Sequence, residues 1–269
     1  MPFWGIIVYV VVMGAVYGFR LLPEARVEAY NDALISLACL FGAYNMWIVS
    51  RRFHQTDAVR ICWFYFSIGL LLEGVGHVIY STAEIIYDVA LEFPTIADVF
   101  IVVGCTFYVR SLYRFLREFN QLSMMPADRR KGIATALALG IIGLVVIFVV
   151  YPSLVDDTEP LLLRIALQIY PAIDALLIVF CLHILMGMMA VGYSEVLKPW
   201  WILVTAYSLF FLTDSAYGYL IAVDRYHPYA LINPGWGLSY LLVSYASYAQ
   251  WKLMNRFVAF QVSAASILE

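Results

Sequence analysis

Charge is what this sequence has least of. Asp, Glu, Lys and Arg make up 13% of its 269 residues, about half of the ~25% usual in soluble domains. What charge there is nearly balances, at a net −3, which removes the electrostatic basis for nucleic-acid binding. Lysine is confined to Lys131, Lys198 and Lys252, each at the edge of an apolar run. A retinal Schiff base needs a lysine inside the membrane, so that class is excluded. Cysteine is limited to Cys39, Cys62, Cys105 and Cys181, all within apolar runs and without a CxxC pair. Disulfides need an oxidising aqueous face and a cysteine metal site needs close spacing, so these four read as small packing residues. GxSxG and HExxH are both missing, which leaves serine and zinc hydrolysis without a motif. An aspartyl intramembrane protease would need two acids brought together, such as Asp32 and Asp98, and nothing in their local sequence singles them out. The chain is not read as an enzyme.

What fills the sequence instead is apolar. Hydrophobic residues make up 64% and mean hydropathy is +0.84. The runs are continuous rather than alternating, and they reach the roughly 20 residues that a helix needs to cross a bilayer. The expected fold is an all-α integral membrane protein with eight transmembrane helices, near 3–22, 31–50, 59–81, 96–116, 132–151, 161–187, 199–222 and 234–256. No basic region precedes the first run, and Arg20-Leu21-Leu22-Pro23 does not resemble a small-residue cleavage site, so the run is kept as a span. Pro171 is expected to kink the sixth helix. The acidic, amphipathic stretch from Thr82 to Phe93 either extends the third helix or lies at the interface.

Orientation follows from the basic residues. Arg51, Arg52, Arg60, Arg110, Arg114, Arg117, Arg129, Arg130, Lys131, Lys198, Lys252 and Arg256 fall on one side, twelve of the 16 Lys and Arg. Arg20, Arg26, Arg164 and Arg225 fall on the other. The positive-inside rule makes the rich side, and with it both termini, cytoplasmic. The outer loops carry Glu84, Asp88 and Glu92, then Asp156, Asp157 and Glu159.

The sequence also echoes itself. Phe66-Ser67-Ile68-Gly69-Leu70-Leu71-Leu72-Glu73 returns as Tyr207-Ser208-Leu209-Phe210-Phe211-Leu212-Thr213-Asp214. Asp32-Ala33-Leu34 with Cys39-Leu40 returns as Asp174-Ala175-Leu176 with Cys181-Leu182. Pro94, Ala97, Gly104 and Tyr108 return as Pro234, Gly237, Ser244 and Tyr248. Four spans per unit give both copies the same orientation, a parallel 4+4 duplication about an axis along the membrane normal. The expected organisation is a first four-helix repeat over 1–120, a basic cytoplasmic linker over 121–131, a second repeat over 132–256 and a cytoplasmic helical tail over 257–269.

The repeat places acids inside apolar helices, where they are expensive and mark function by default. Asp32, Glu73, Asp98, Asp174 and Asp214 share the outer half of their spans, and no Lys or Arg lies in a span core to pair with them. N-capping would account for Asp32 and Asp98 at span starts. Capping fails for Glu73 and Asp214, which call for a polar or wet cavity. Glu73 and His77 share a helix face; that spacing suits a hydrogen-bonded pair and makes the two weak candidates for metal ligation. His183 lies about 13 Å deeper than Asp174 at the standard helical rise, which disfavours a haem held between His77 and His183. Tyr217 joins the acids as a candidate ligand contact among the aromatics of the seventh and eighth spans.

Pro94-Thr95-Ile96-Ala97-Asp98-Val99-Phe100 followed by Gly104, together with the Glu73 and Asp214 helices, resembles the amino-terminal multi-spanning regions of bacterial and archaeal signalling proteins. In those proteins the region precedes a diguanylate cyclase or histidine kinase module. The likeness covers roughly residues 25–256 and implies a prokaryotic plasma-membrane sensor; the sequence departs from it in that no output module follows. The leading expectation is therefore a sensory or ligand-binding membrane module. Its site would comprise Glu73, His77, Asp98, Asp174, Asp214, Asp32 and Tyr217. The partners expected are the lipid bilayer, a small apolar or cationic ligand, a cytoplasmic signalling domain or partner protein, and a second copy in a homodimer. Two alternatives stay open: a proton- or cation-coupled transporter that titrates Glu73 and Asp214, and an electron-transfer protein with His77 or His183 on haem or a metal. No cofactor is assigned.

Overall fold

The computed structural model describes residues 2–89, 91, 94–121, 129–145, 147, 151, 161–189 and 194–268. Among them are eight helices: α1 (Pro2–Phe19), α2 (Glu24–Ser50), α3 (Ala58–Ile86), α4 (Ile96–Gln121), α5 (Arg129–Val145), α6 (Leu161–Met188), α7 (Ser194–Ala222) and α8 (Asn233–Leu268). Five stretches are long and apolar enough to cross a membrane: Arg26–Ser50, Val59–Ile86, Ile96–Glu118, Gln168–Met188 and Glu195–Ile221; Trp4–Phe19 is a shorter apolar helix. The surface agrees. Leu37, Val99 and Leu212 are 65%, 55% and 62% exposed, while Glu73, Asp98 and Asp174 are 4%, 8% and 8% exposed. A water-soluble fold buries its aliphatic residues and solvates its acids. The opposite arrangement is that of a multi-pass helical membrane protein.

Several boundaries differ from the sequence reading. Helix α2 begins at Glu24, directly after Pro23, and the Arg26 amide bonds back to the Pro23 carbonyl at 2.9 Å. Asp32 therefore sits two turns inside a helix and does not cap it. The apolar run marked where the helix becomes hydrophobic, whereas its start is set by a proline, which is favoured at a helix entrance. Helix α3 continues through Ile86, so the acidic stretch extends it; the chain then turns with Asp88 at φ 55°. Arg129, Arg130 and Lys131 open α5 rather than closing a linker. Residues 122–128 of that linker, Glu92, and Asp156, Asp157 and Glu159 lie outside the described residues. Pro171 falls inside α6 as expected. Helix α8 has 36 residues and so runs about 54 Å, far beyond the ~30 Å of a hydrocarbon core.

Six helices close into a ring. Helix α2 packs on α3, α3 on α4, α4 on α6, α6 on α7, α7 on α8, and α8 returns to α2. Helices α1 and α5 lie outside, against α8 and α6 respectively. Hydroxyls tie ring neighbours together: Ser67 donates to the Ala43 carbonyl at 2.7 Å, Ser111 to that of Cys62 at 2.8 Å, and Ser244 to that of Ala38. Such bonds serve where lipid offers no hydrophobic drive between helices.

Helices α3 and α4 pack closely through small residues. A Cβ on Gly104 would lie 2.8 Å from the Gly69 carbonyl oxygen and 3.0 Å from Glu73 Cγ. A Cβ on Gly76 would lie 2.6 Å from Ile101 Cγ1 and 2.9 Å from the Ala97 carbonyl oxygen. Gly69 and Gly76 on α3 thus face Ala97 and Gly104 on α4, one heptad apart on each helix. Glu73 stands between the two glycines on that face, where the backbones are close enough for its carboxyl to reach α4.

Candidate functional site

The ring encloses a cavity of about 500 Å³. Every ring helix contributes a stripe at helical spacing: Glu28, Asn31, Asp32 and Ile35 from α2; Glu73, His77, Tyr80 and Glu84 from α3; Asp98, Ile101, Cys105 and Tyr108 from α4; Tyr170, Pro171, Asp174 and Leu177 from α6; Tyr207, Phe210, Asp214, Tyr217 and Ile221 from α7; Asn233, Trp236, Tyr240 and Val243 from α8. Leu91 and Tyr226, in the loops after α3 and α7, complete the wall. Glu73 to Glu84 spans eleven residues of α3, so the cavity extends about 16 Å along the helix axes. Its floor is buried, at Tyr108, Tyr207 and Tyr240. Its half-buried end is formed by Glu28, Glu84, Leu91 and Tyr226.

All seven residues singled out from the sequence stand in this wall. Asp98 is the most connected. Thr95 forms the entrance of α4, its Oγ1 accepting from the Ala97 amide at 3.1 Å. Asp98, three residues on, accepts from the Thr95 amide at 2.7 Å through Oδ2, closing a reciprocal cap. The same Oδ2 accepts from Tyr80 at 2.6 Å, and Oδ1 accepts from Tyr170 at 2.9 Å. One carboxylate thus secures the start of α4 and joins it to α3 and α6. Glu73 Oε2 accepts from Tyr108 at 2.6 Å and Oε1 from the Cys105 thiol at 3.3 Å.

Glu73 and His77 do not pair. The His77 ring turns to α2, with Nδ1 2.9 Å from Asp32 Oδ1, and lies edge-on to Tyr240 at 5.1 Å between centroids. Side chains four apart on a helix point to adjacent neighbours, and here those neighbours are different helices. Among the described residues no group of three or more His, Cys, Asp or Glu is arranged to hold a metal ion. On the second half, Trp236 Nε1 donates to Asp214 Oδ1, and the Asp174 and Asp214 carboxyls lie within hydrogen-bonding reach of each other. Tyr217 stacks edge-on between Trp236 at 5.3 Å and Tyr226 at 4.8 Å. His183 is not in the wall; its Nδ1 contacts the Val179 carbonyl of its own helix at 2.8 Å.

Among the described residues the wall holds seven carboxyl groups, seven tyrosines and no Lys or Arg. Sequence reasoning missed Glu28, Glu84, Tyr108 and Tyr170 as site residues. Glu28, at the half-buried end, accepts from Tyr226 and from Asn233 Nδ2, the latter at 3.1 Å. Burial, and after it the Glu28 charge, push the Tyr226 phenol above its ordinary range, which keeps it a donor. The signal that finds these residues is the stripe itself. Polar and aromatic residues recur at three- and four-residue steps on each ring helix, one face lined by Tyr and acid. All four cysteines are buried and unpaired, with only Cys105 on the cavity.

No protein-family model, no curated protein and no solved structure matches the chain.

Proposed function

We propose that this protein is a membrane sensory module that binds a small molecule in the lumen of its six-helix ring and passes that event to the cytoplasmic side through α8. The observation that carries the reading is the cavity, which draws its wall from all six ring helices. A ligand there touches both halves of the chain at once, so it can favour one helix arrangement over another through differential affinity. The eight-span reading, with a parallel 4+4 duplication, is supported by the packing order: α2, α3 and α4 follow one another around the ring as α6, α7 and α8 do. Cytoplasmic termini are supported by the distribution of the basic residues, and the length of α8 gives it reach toward a cytoplasmic signalling partner.

Purification from native membranes followed by mass spectrometry of the released small molecules tests this. The expected result is a stoichiometric occupant that Glu73→Gln and Asp214→Asn each release, and whose removal changes the mobility of a spin label on α8 beyond Arg256. An empty protein whose α8 label ignores both substitutions would sink the reading. Proton- or cation-coupled transport is the second reading, favoured by the facing Asp174 and Asp214 carboxyls. It requires flux in proteoliposomes that Asp214→Asn abolishes.

A further inference from the structure

Three polar atoms in the cavity wall are buried without a hydrogen-bond partner: Asp174 Oδ2, the Tyr207 hydroxyl and His77 Nε2. Asp174 and Tyr207 are only 8% and 2% exposed. Such atoms are rare in folded proteins because each forfeits its hydration without replacement. Their chemistry is mixed but convergent. Asp174 Oδ2 is an acceptor. With Nδ1 donating to Asp32, Nε2 of a neutral His77 ring is another. The Tyr207 oxygen accepts as well as donates. The three come from α6, α7 and α3, so no single helix accounts for them.

Charge points the same way. Asp174 faces Asp214, with Glu73 also near enough to act on it. Two facing carboxyls cannot both be ionised unless a cation lies between them or they share a proton. Asp32, Glu73, Asp98 and Glu28 each carry a side-chain partner from the wall, whereas this pair has Trp236 on Asp214 alone. The surroundings are aromatic: Phe210 packs edge-on to Tyr240 at 4.7 Å and lies 6.2 Å from Tyr207. Ring faces attract an alkylammonium group, a weakly hydrated cation, by their quadrupoles. A bare metal ion is poorly matched, since no three-ligand group is present among the described residues and a 500 Å³ cavity is far larger than one ion with its ligands. Ile101, Leu177 and Val243 supply apolar wall for an organic body.

Resting on the ligand-binding reading above, we propose that the ligand is an organic ammonium ion. Its nitrogen sits against the Asp174–Asp214 carboxyls, beneath Tyr207, and its hydrocarbon part lies along Phe210 and Leu177. The same group is offered by a free amine and by the ethanolamine headgroup of a phospholipid.

The test uses the full chain in nanodiscs of phosphatidylglycerol alone, titrated with phenethylammonium, hexylammonium and spermidine while tryptophan fluorescence and thermal unfolding are followed. The neutral isostere 2-phenylethanol and Mg²⁺ serve as comparisons. At least one ammonium probe is expected to saturate binding and raise the unfolding temperature, with the alcohol and Mg²⁺ inactive. Asp174→Asn weakens that binding by about thirtyfold or more, the range for removing one member of a buried charge contact. The surface variant Glu195→Gln leaves it unchanged. Tyr207→Phe deletes a hydroxyl that holds no bond, so it keeps the fold and still weakens the amine; it decides the matter if Asp174→Asn does not fold. Repeating the titration with phosphatidylethanolamine in the disc separates the sources: competition by the lipid identifies the headgroup, its absence the free amine.

Equal binding of 2-phenylethanol, protection by Mg²⁺, insensitivity to both variants, or no response to any ammonium probe would overturn the assignment. A neutral molecule recovered from native membranes would remove the ammonium class yet leave the sensory reading standing. A protein that purifies empty and ignores every probe removes both.

Discussion

Gly104→Ala adds a single methyl group where α3 and α4 lie closest. The new Cβ would stand 2.8 Å from the Gly69 carbonyl oxygen and 3.0 Å from Glu73 Cγ. Ordinary non-bonded contact begins near ~3.5 Å, so the two helices must separate by roughly 0.7 Å. Neither obstacle is a free side-chain end, because one is backbone and the other is the root of a carboxylate that Tyr108 and Cys105 hold in place. Overpacking of this kind costs about 1–3 kcal/mol. It is opposed by the intrinsic gain of up to about 1 kcal/mol for replacing glycine with alanine in a helix. The net expectation is a loss of roughly 1–2 kcal/mol. Gly140→Ala in α5 is the matched control, since nothing lies within 4 Å of its added Cβ; it should leave stability unchanged or raise it. Thermal unfolding of both variants in the same detergent provides the comparison. If Gly104→Ala is as stable as Gly140→Ala, the close approach of α3 and α4 described above is wrong.

Other substitutions test other joints. Tyr108→Phe removes a donor from the buried Glu73 carboxyl, and should destabilise by about 1–3 kcal/mol; the double variant with Glu73→Leu should recover part of that loss in denaturation, since no acceptor is then left alone. Gly237→Ala places a methyl on the Tyr9 ring, so α1 should loosen from α8, read as faster reaction of an engineered cysteine at Met13 with a maleimide; an unchanged rate would refute the contact. Asp224 sits at φ 51°, where glycine is at ease and β-branched residues are not, so Asp224→Gly should be tolerated and Asp224→Val should lose about 1 kcal/mol or more in thermal unfolding.

The sequence disclosed the site residues better than it disclosed their bonds. Charge scarcity made each intramembrane acid conspicuous, and Asp32, Glu73, Asp98, Asp174 and Asp214 all stand in one wall. Their partners were another matter. Periodicity says that Glu73 and His77 share a face, but which neighbour each meets depends on ring order, and that is a property of the whole packing. So His77 was read toward Glu73 and is found against Asp32. Tyr108 and Tyr170 were hidden by abundance: among 20 tyrosines no single one stands out until its helix is turned to face the lumen. Asp32 was misread as a cap because hydrophobicity locates the bilayer, whereas helix starts are set by local chemistry such as that of Pro23. Asp98, read as a cap itself, instead stands three residues beyond the cap that Thr95 forms and bonds back to it.

The ring has two places where its halves meet, and they are made differently. Between α2 and α8, Gly42 lies against Ser244, Asn31 donates to the Asn233 carbonyl at 3.0 Å, and Tyr9 of α1 bridges Asn31 and Pro234. Between α4 and α6, Tyr170 reaches Asp98, and Tyr113 meets Phe180 with centroids 6.5 Å apart. In mechanical terms the ring is a clasp: one join is stitched by short side chains onto the facing backbone with an outer strap over it, and the other is hooked by a phenol. A hoop so built does not widen evenly. Pressure from within is expected to part it first at the hooked side, where release of Asp98 would loosen the entrance of α4 in the same movement.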